Sequence, residues 1–133
     1  MPDNLEETGR NSDLSGINIG IDIVDVSRIK SIVDNWGDKF LRRIFTDEEI
    51  KYCFSRSRSY EHLAGKFAAK EALIKALERK VPWRGIEVLN NSAGAPRTEI
   101  HIDLENELKE RFTAKISISH TEKYAVAEAI IFF

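Results

Sequence analysis

The sequence predicts an α+β fold, a single small domain in which an antiparallel sheet packs on a long central helix, and three observations predict it. Residues 60–79 are rich in strong helix formers, lack proline and repeat apolar side chains at Leu63, Phe67, Ile74 and Leu77, the spacing of one helical face. Ile17 to Val24 alternates apolar with small or polar residues, which is the period of a strand. Two further pairs of strand-like runs, 86–89 with 97–102 and 114–119 with 124–133, are joined by polar links and read as hairpins.

In chain order, residues 1–15 are polar, acidic and without period, so a disordered tail is expected before a domain spanning 16–133. In the first strand Ile17, Ile19, Ile21 and Ile23 share one face, and Asn18, Gly20, Asp22 and Val24 the other. The missing side chain of Gly20 leaves room there for a ligand or another backbone. Val26, Ile29, Ile32, Val33 and Trp36 then fall at helical spacing, giving an amphipathic helix up to Gly37 with Arg28 and Lys30 off its apolar face. Residues 40–45 lead into a capping box, Thr46 with Glu49, that opens a short helix ending near Phe54. Ser55-Arg56-Ser57-Arg58-Ser59 reads either as a solvated linker or as a loop able to hold a phosphate. The long helix follows from about Tyr60 to Arg79, ahead of Pro82. After the first hairpin, Leu104 to Phe112 reads as a charged amphipathic helix, and His120 stands at the end of its strand beside the closing turn.

At 133 residues the chain suits one domain, near the size where an oligomer interface adds useful burial. A net charge of −2 gives no general electrostatic case for nucleic acid, so any phosphate site must be local. The single cysteine, Cys53, excludes an internal disulfide and suits a reducing cytosol. No apolar run approaches the roughly 18 residues of a membrane span, and the first residues lack the layout of a signal peptide. A cytoplasmic protein with neither nucleic acid nor membrane as partner is expected.

Chemistry concentrates on the long helix. Glu71 and Lys75 stand one turn apart, beside alanines at 64, 68 and 72. They read as an ion pair on the helix surface, or as a carboxylate for Mg²⁺ and an ammonium for phosphate on a flank smooth enough for a bulky group to lie against. Asp22 has the same double reading, a solvated or capping residue or a site carboxylate.

Ile19-Gly20-Ile21-Asp22-Ile23 and Phe67-Ala68-Ala69-Lys70-Glu71-Ala72-Leu73-Ile74-Lys75-Ala76 together resemble the two-part signature of the 4′-phosphopantetheinyl transferases. The element order, the Arg-Ile-Phe-Thr-Asp-Glu-Glu-Ile stretch at 43–50 and Ser-Ile-Ser-His at 117–120 resemble their short bacterial type, the holo-[acyl-carrier-protein] synthases. The resemblance covers about residues 17–132. It implies transfer of the phosphopantetheine arm of coenzyme A to a serine of an acyl-carrier protein, releasing adenosine 3′,5′-bisphosphate, and a place in fatty acid biosynthesis.

The resemblance also implies roles. Asp22 and Glu71 match the metal carboxylates, expected to hold Mg²⁺, and either of them or a water on the metal takes the serine proton. Lys75 matches the lysine at the phosphates. Lys66, where the family often has arginine, Arg58, Pro96, Ser119 and His120 match positions against the coenzyme, His120 also counting with the catalytic group. Arg28 matches the arginine that contacts the carrier protein. Short members are homotrimers with active sites between subunits, Asp22 coming from one and the long helix from the next. Two positions depart from the family pattern: Glu78 replaces a glycine and is expected to crowd or repel a phosphate, and Ala95 replaces a lysine beside Pro96, where Arg97 is a neighbouring cation. Two other readings are a non-catalytic relative that binds a carrier protein or nucleotide, and a transferase for a specialised carrier.

Overall fold

The computed structural model describes residues 16–101 and 112–133. The tail expected over 1–15, and all but the last residue of the helix expected over 104–112, lie outside them.

Strand β1 (Ile17–Asp25) is followed by helices α1 (Val26–Trp36), α2 (Asp38–Ile44), α3 (Asp47–Phe54) and α4 (Ser59–Leu77). A 3₁₀ turn (Trp83–Gly85) then leads to β2 (Ile86–Asn90), β3 (Pro96–Ile100), β4 (Thr113–His120) and β5 (Tyr124–Phe132). The strands form two antiparallel sheets, β1-β5-β4 and β2-β3. β5 is central in the first, pairing with β1 from Ile17↔Phe132 to Asp25↔Tyr124 and with β4 from Thr113↔Phe132 to His120↔Ala125.

Small residues set the distance between α4 and this sheet. Ala64, Ala68, Ala72 and Ala76 are fully buried, as are Ala125, Ala127 and Ala129 on β5. A Cβ placed on Gly20 would fall 2.0 Å from the Ala72 carbonyl oxygen and 2.9 Å from the Ala76 nitrogen. Asn18 Nδ2 donates to the Ala76 carbonyl at 2.9 Å, fixing the helix on the strand. The room left by Gly20 is therefore occupied by helix backbone. The alanine flank likewise lies against the sheet and is closed to a bulky ligand, which corrects that expectation.

Close approach on this side turns the isoleucines outward. Ile19, Ile21 and Ile23 remain 70%, 62% and 65% exposed, with Tyr124 and Phe132 of β5 exposed beside them. The apolar period of β1 is thus real, but the face it marks is the outer one.

An ion pair organises the opposite side of α4. Lys70 and Glu49 have fully buried side chains, and Lys70 Nζ donates to Glu49 Oε1 at 2.7 Å, to the Ile44 carbonyl at 2.7 Å and to the Trp83 carbonyl at 3.1 Å. Glu49 accepts in addition from the Thr46 and Val88 amides, both at 2.8 Å. One pair thereby ties α2, α3, the 3₁₀ turn and β2 to α4. Burial pulls the Lys70 ammonium below its ordinary pKa, and the Glu49 charge opposes this.

Two boundaries differ from the sequence reading. Residues 38–44 form helix α2 because Leu41 and Ile44, three apart, both enter the core. At the other end, α4 stops at Leu77 and Glu78 takes the left-handed conformation, φ 57° and ψ 34°, with its amide donating to the Ile74 and Lys75 carbonyls. This is the helix-ending position that favours glycine, which has no Cβ to strain there. The backbone thus accounts for the glycine that the resemblance places at 78. Glu78→Gly is expected to stabilise the fold by about 0.5–1 kcal/mol, read as a higher urea midpoint with unchanged slope.

Candidate functional site

Two concavities flank α4. The first, a cleft of about 520 Å³, is lined by Asp22 and Val24 of β1, Arg28 and Ile29 of α1, and Phe67 and Glu71 of α4. Asp22 lies on the same face of β1 as Gly20, so the contact that seats α4 also brings this carboxylate to the helix. Lys75 Nζ donates to Asp22 Oδ1 at 3.1 Å and to the Ile21 carbonyl at 3.0 Å. Its ion-pair partner comes from the strand. Asp22 and the long helix meet here within one chain, which corrects the expectation that they come from different subunits.

Glu71 is half-buried. Burial first, and the Asp22 charge second, push its carboxyl above the ordinary value, while Lys75 pulls it back. Three carboxylates, Asp22, Asp25 and Glu71, stand against the Arg28 guanidinium and the Lys75 ammonium, which leaves the cleft one negative charge that a cation would balance. Hard carboxylate oxygens with space for water are the donors Mg²⁺ selects. Glu87, Glu99 and His101 form another group with metal-ligand atoms within 4.8 Å of one another. There Glu87 is engaged by the Thr46 hydroxyl and by His101 Nε2, and Glu99 by Arg97. Burial would raise the Glu87 carboxyl, but the bonds from Thr46 and His101 outweigh it and hold the group low. Imidazole is also a poor donor for Mg²⁺, so Asp22 and Glu71 fit that ion better.

The second concavity, about 120 Å³, lies at the other edge of the sheet and is lined by Lys66, Asn90, Pro96, Ile118 and His120 among others. Lys66 is nearly fully buried, and its Nζ donates to the Val88 carbonyl at 2.6 Å and to Asn90 Oδ1 at 2.7 Å. Burial draws its ammonium below the ordinary value. Those bonds use two of its three donors. His120 Nδ1 lies 2.9 Å from Glu61 Oε1, and Arg58 Nε lies 3.8 Å from Glu61 Oε2 at the exposed rim. Ser119 is separated from this group. Strand alternation puts it on the outer face with the exposed isoleucines, away from Ile118 and His120.

The structure therefore gathers the expected residues into two sets. Asp22, Arg28, Glu71 and Lys75 meet at the β1 edge, and Lys66, Pro96 and His120 at the β4 edge, with Arg58 near them. β5 lies between the edges, a separation of about 10 Å by strand spacing. Along α4, Glu61 and Glu71 are about 15 Å apart at the helical rise. Sequence reasoning missed Glu61, whose place in the first turn of α4 reads as an ordinary dipole partner. It also missed Asn90, a turn residue, and the Glu49–Lys70 pair, whose positions lie 21 apart in sequence.

Residues 18–129 match the model of the 4′-phosphopantetheinyl transferase superfamily. A holo-[acyl-carrier-protein] synthase of Thermodesulfovibrio yellowstonii is 45% identical over 117 residues, 85% of this chain and 96% of the relative. The crystal structure of a holo-(acyl-carrier-protein) synthase from Bacillus anthracis, in complex with CoA (3′,5′-ADP), is 34% identical with a TM-score of 0.72, covering 86% of this chain and 95% of that one. The Helicobacter pylori synthase in complex with coenzyme A is 30% identical with a TM-score of 0.76, over 85% and 98% of the two chains.

Proposed function

The chain belongs to the 4′-phosphopantetheinyl transferase superfamily, among the holo-[acyl-carrier-protein] synthases, and transfers phosphopantetheine from coenzyme A to apo acyl-carrier protein; we propose that the transfer requires Mg²⁺ at Asp22 and Glu71 and releases adenosine 3′,5′-bisphosphate. The observation that carries this reading is the meeting of Asp22 and Glu71 in one cleft, with Lys75 bonded to Asp22. Mg²⁺ held by the two carboxylates would neutralise the pyrophosphate oxygens. Lys75 supplies positive charge at the bond that breaks, where negative charge grows on the departing phosphate. The carrier serine attacks the β-phosphorus, the side that keeps pantetheine, and its proton leaves to an acceptor in this carboxylate-lined cleft.

Lys66, Pro96 and His120, with Arg58 at the rim, are suited to the adenosine and 3′-phosphate end of the coenzyme. Because they lie at the far edge of the same chain, this reading has the coenzyme span two copies, one giving the cleft and its neighbour the pocket. The exposed sheet face supports a homotrimer, as it presents Ile19, Ile21, Ile23, Tyr124 and Phe132 around a single carboxylate, Glu128 opposite Ile21, and apolar side chains exposed in such number are of the kind that subunits cover. Ser119 stands on that face, where it would meet a neighbouring copy. A cytoplasmic setting accords with acyl-carrier protein as partner.

Arg28 lies at the mouth of the cleft, and α1 continues into an apolar groove at Trp36 and Phe40 with Lys39 and Arg43 beside it. This basic and apolar strip suits an acidic helical carrier. Lys30, also on α1, is held by Asp34 at 2.8 Å. Arg28→Glu is expected to lower kcat/KM for the carrier about tenfold at low salt, with a smaller loss at high salt and kcat little changed. Mass spectrometry of apo acyl-carrier protein incubated with coenzyme A, Mg²⁺ and this protein tests the function. A gain of one phosphopantetheine, absent with chelator, is the expected result. Failure with several apo carriers, from folded protein, would favour a binding protein without transfer activity.

A further inference from the structure

We infer that Glu61 is a positioning residue for the coenzyme pocket, holding the His120 ring so that Nε2 is presented to the coenzyme; the inference rests on the coenzyme reading of His120 above. Glu61 lies in the first turn of α4 with its side chain about nine-tenths buried, and Oε1 stands 2.9 Å from His120 Nδ1 across the helix–sheet junction. A carboxylate only accepts, so the hydrogen of this bond belongs to Nδ1. That fixes the tautomer of the neutral ring and leaves Nε2 as the nitrogen available to the pocket. A phosphate oxygen needs a donor at Nε2, which the ring offers as imidazolium, and the Glu61 carboxylate supplies the counter-charge beside it.

The surroundings restrict the ring further. The His62 ring lies 5.3 Å from that of His120 in an edge arrangement, with Tyr52 5.8 Å beyond His62. His62 is kept towards its neutral form by burial first and by His120 second, so it packs against the ring with little competing charge. Arg58 meets the other oxygen of Glu61 at 3.8 Å. One buried carboxylate thus touches two of the residues assigned to the coenzyme and offers neither oxygen to an anion.

Glu61→Gln preserves the shape and removes the obligate acceptor, and its test has two parts. Long-range ¹H–¹⁵N NMR of His120 should show the Nδ1–H form in the neutral wild-type ring and a mixed or Nε2–H form in the variant. In transfer assays KM for coenzyme A should rise about five- to tenfold, the worth of one good hydrogen bond, with kcat within about twofold. The same substitution in a His120→Ala background should add almost nothing, since its effect passes through the ring. An unchanged KM for coenzyme A in Glu61→Gln, or an equal rise in KM with His120 absent, would overturn the inference. Should the wild-type protein transfer nothing, the transferase reading fails separately, and calorimetry with adenosine 3′,5′-bisphosphate decides. Binding weakened by Glu61→Gln then supports the positioning role, and unchanged or absent binding overturns it.

Discussion

Glu71→Gln is expected to reduce transfer on the order of 10²–10³-fold while leaving the metal-free protein at least as heat-stable as the wild type at neutral pH. The two effects have one origin. Burial and the Asp22 charge hold the Glu71 carboxyl above its ordinary 4.5, so the fold favours the protonated group. Its contribution to stability is whole below about pH 4.5 and is lost as the pH rises through the raised value. At neutral pH the ionised carboxylate therefore weighs against the empty fold, and glutamine removes that weight at every pH. Mg²⁺ should raise the Tm of the wild type and leave that of Glu71→Gln almost unmoved. A variant that melts well below the wild type, yet keeps the Mg²⁺ shift, would place the metal elsewhere.

Lys70→Ala is expected to cost about 3–5 kcal/mol, because it leaves the carboxylate of Glu49 buried without its cation. Against a total stability of about 5–15 kcal/mol for a domain of this size, that removes a large part of the margin. It also frees the Ile44 and Trp83 carbonyls from their shared donor. Urea unfolding measures the loss. The double variant Glu49→Leu with Lys70→Met should recover much of it, since the penalty lies in the unpaired charge more than in the missing pair. A single variant within about 1 kcal/mol of the wild type would show that Glu49 is solvated or protonated in the fold.

These two residues mark what the sequence does and does not disclose. Glu71 was legible because its chemistry sits inside a local pattern, four residues from Lys75 on one helix and within a signature shared with the transferases. Lys70, one position earlier in that signature, gave no sign of its buried partner, since Glu49 is brought to it only by tertiary packing. The same limit explains Asp22. Its face of β1 was readable from the alternation, yet its partner, Lys75, lies 53 residues away. The isoleucines of β1 were legible as one apolar face, and only the register of α4 against Gly20 shows that this face points away from the domain's own core. Glu78 is the converse case. Sequence comparison suggested a clash with phosphate, whereas the left-handed backbone supplies a conformational reason for glycine there.

The separation of the cleft from the His120 pocket makes one measurement decisive. Glu71→Gln damages the cleft and His120→Ala the pocket, so each variant alone should be nearly inactive at low coenzyme A concentration. Unfolded together and refolded as mixed oligomers, they should regain activity, because random pairing joins an intact cleft to an intact pocket at about a quarter of the interfaces. Recovery towards that fraction of wild-type transfer is the result expected of a site shared between copies. Activity no higher than the sum of the separate variants, in oligomers proven to be mixed, would contradict it and confine the coenzyme to a single chain.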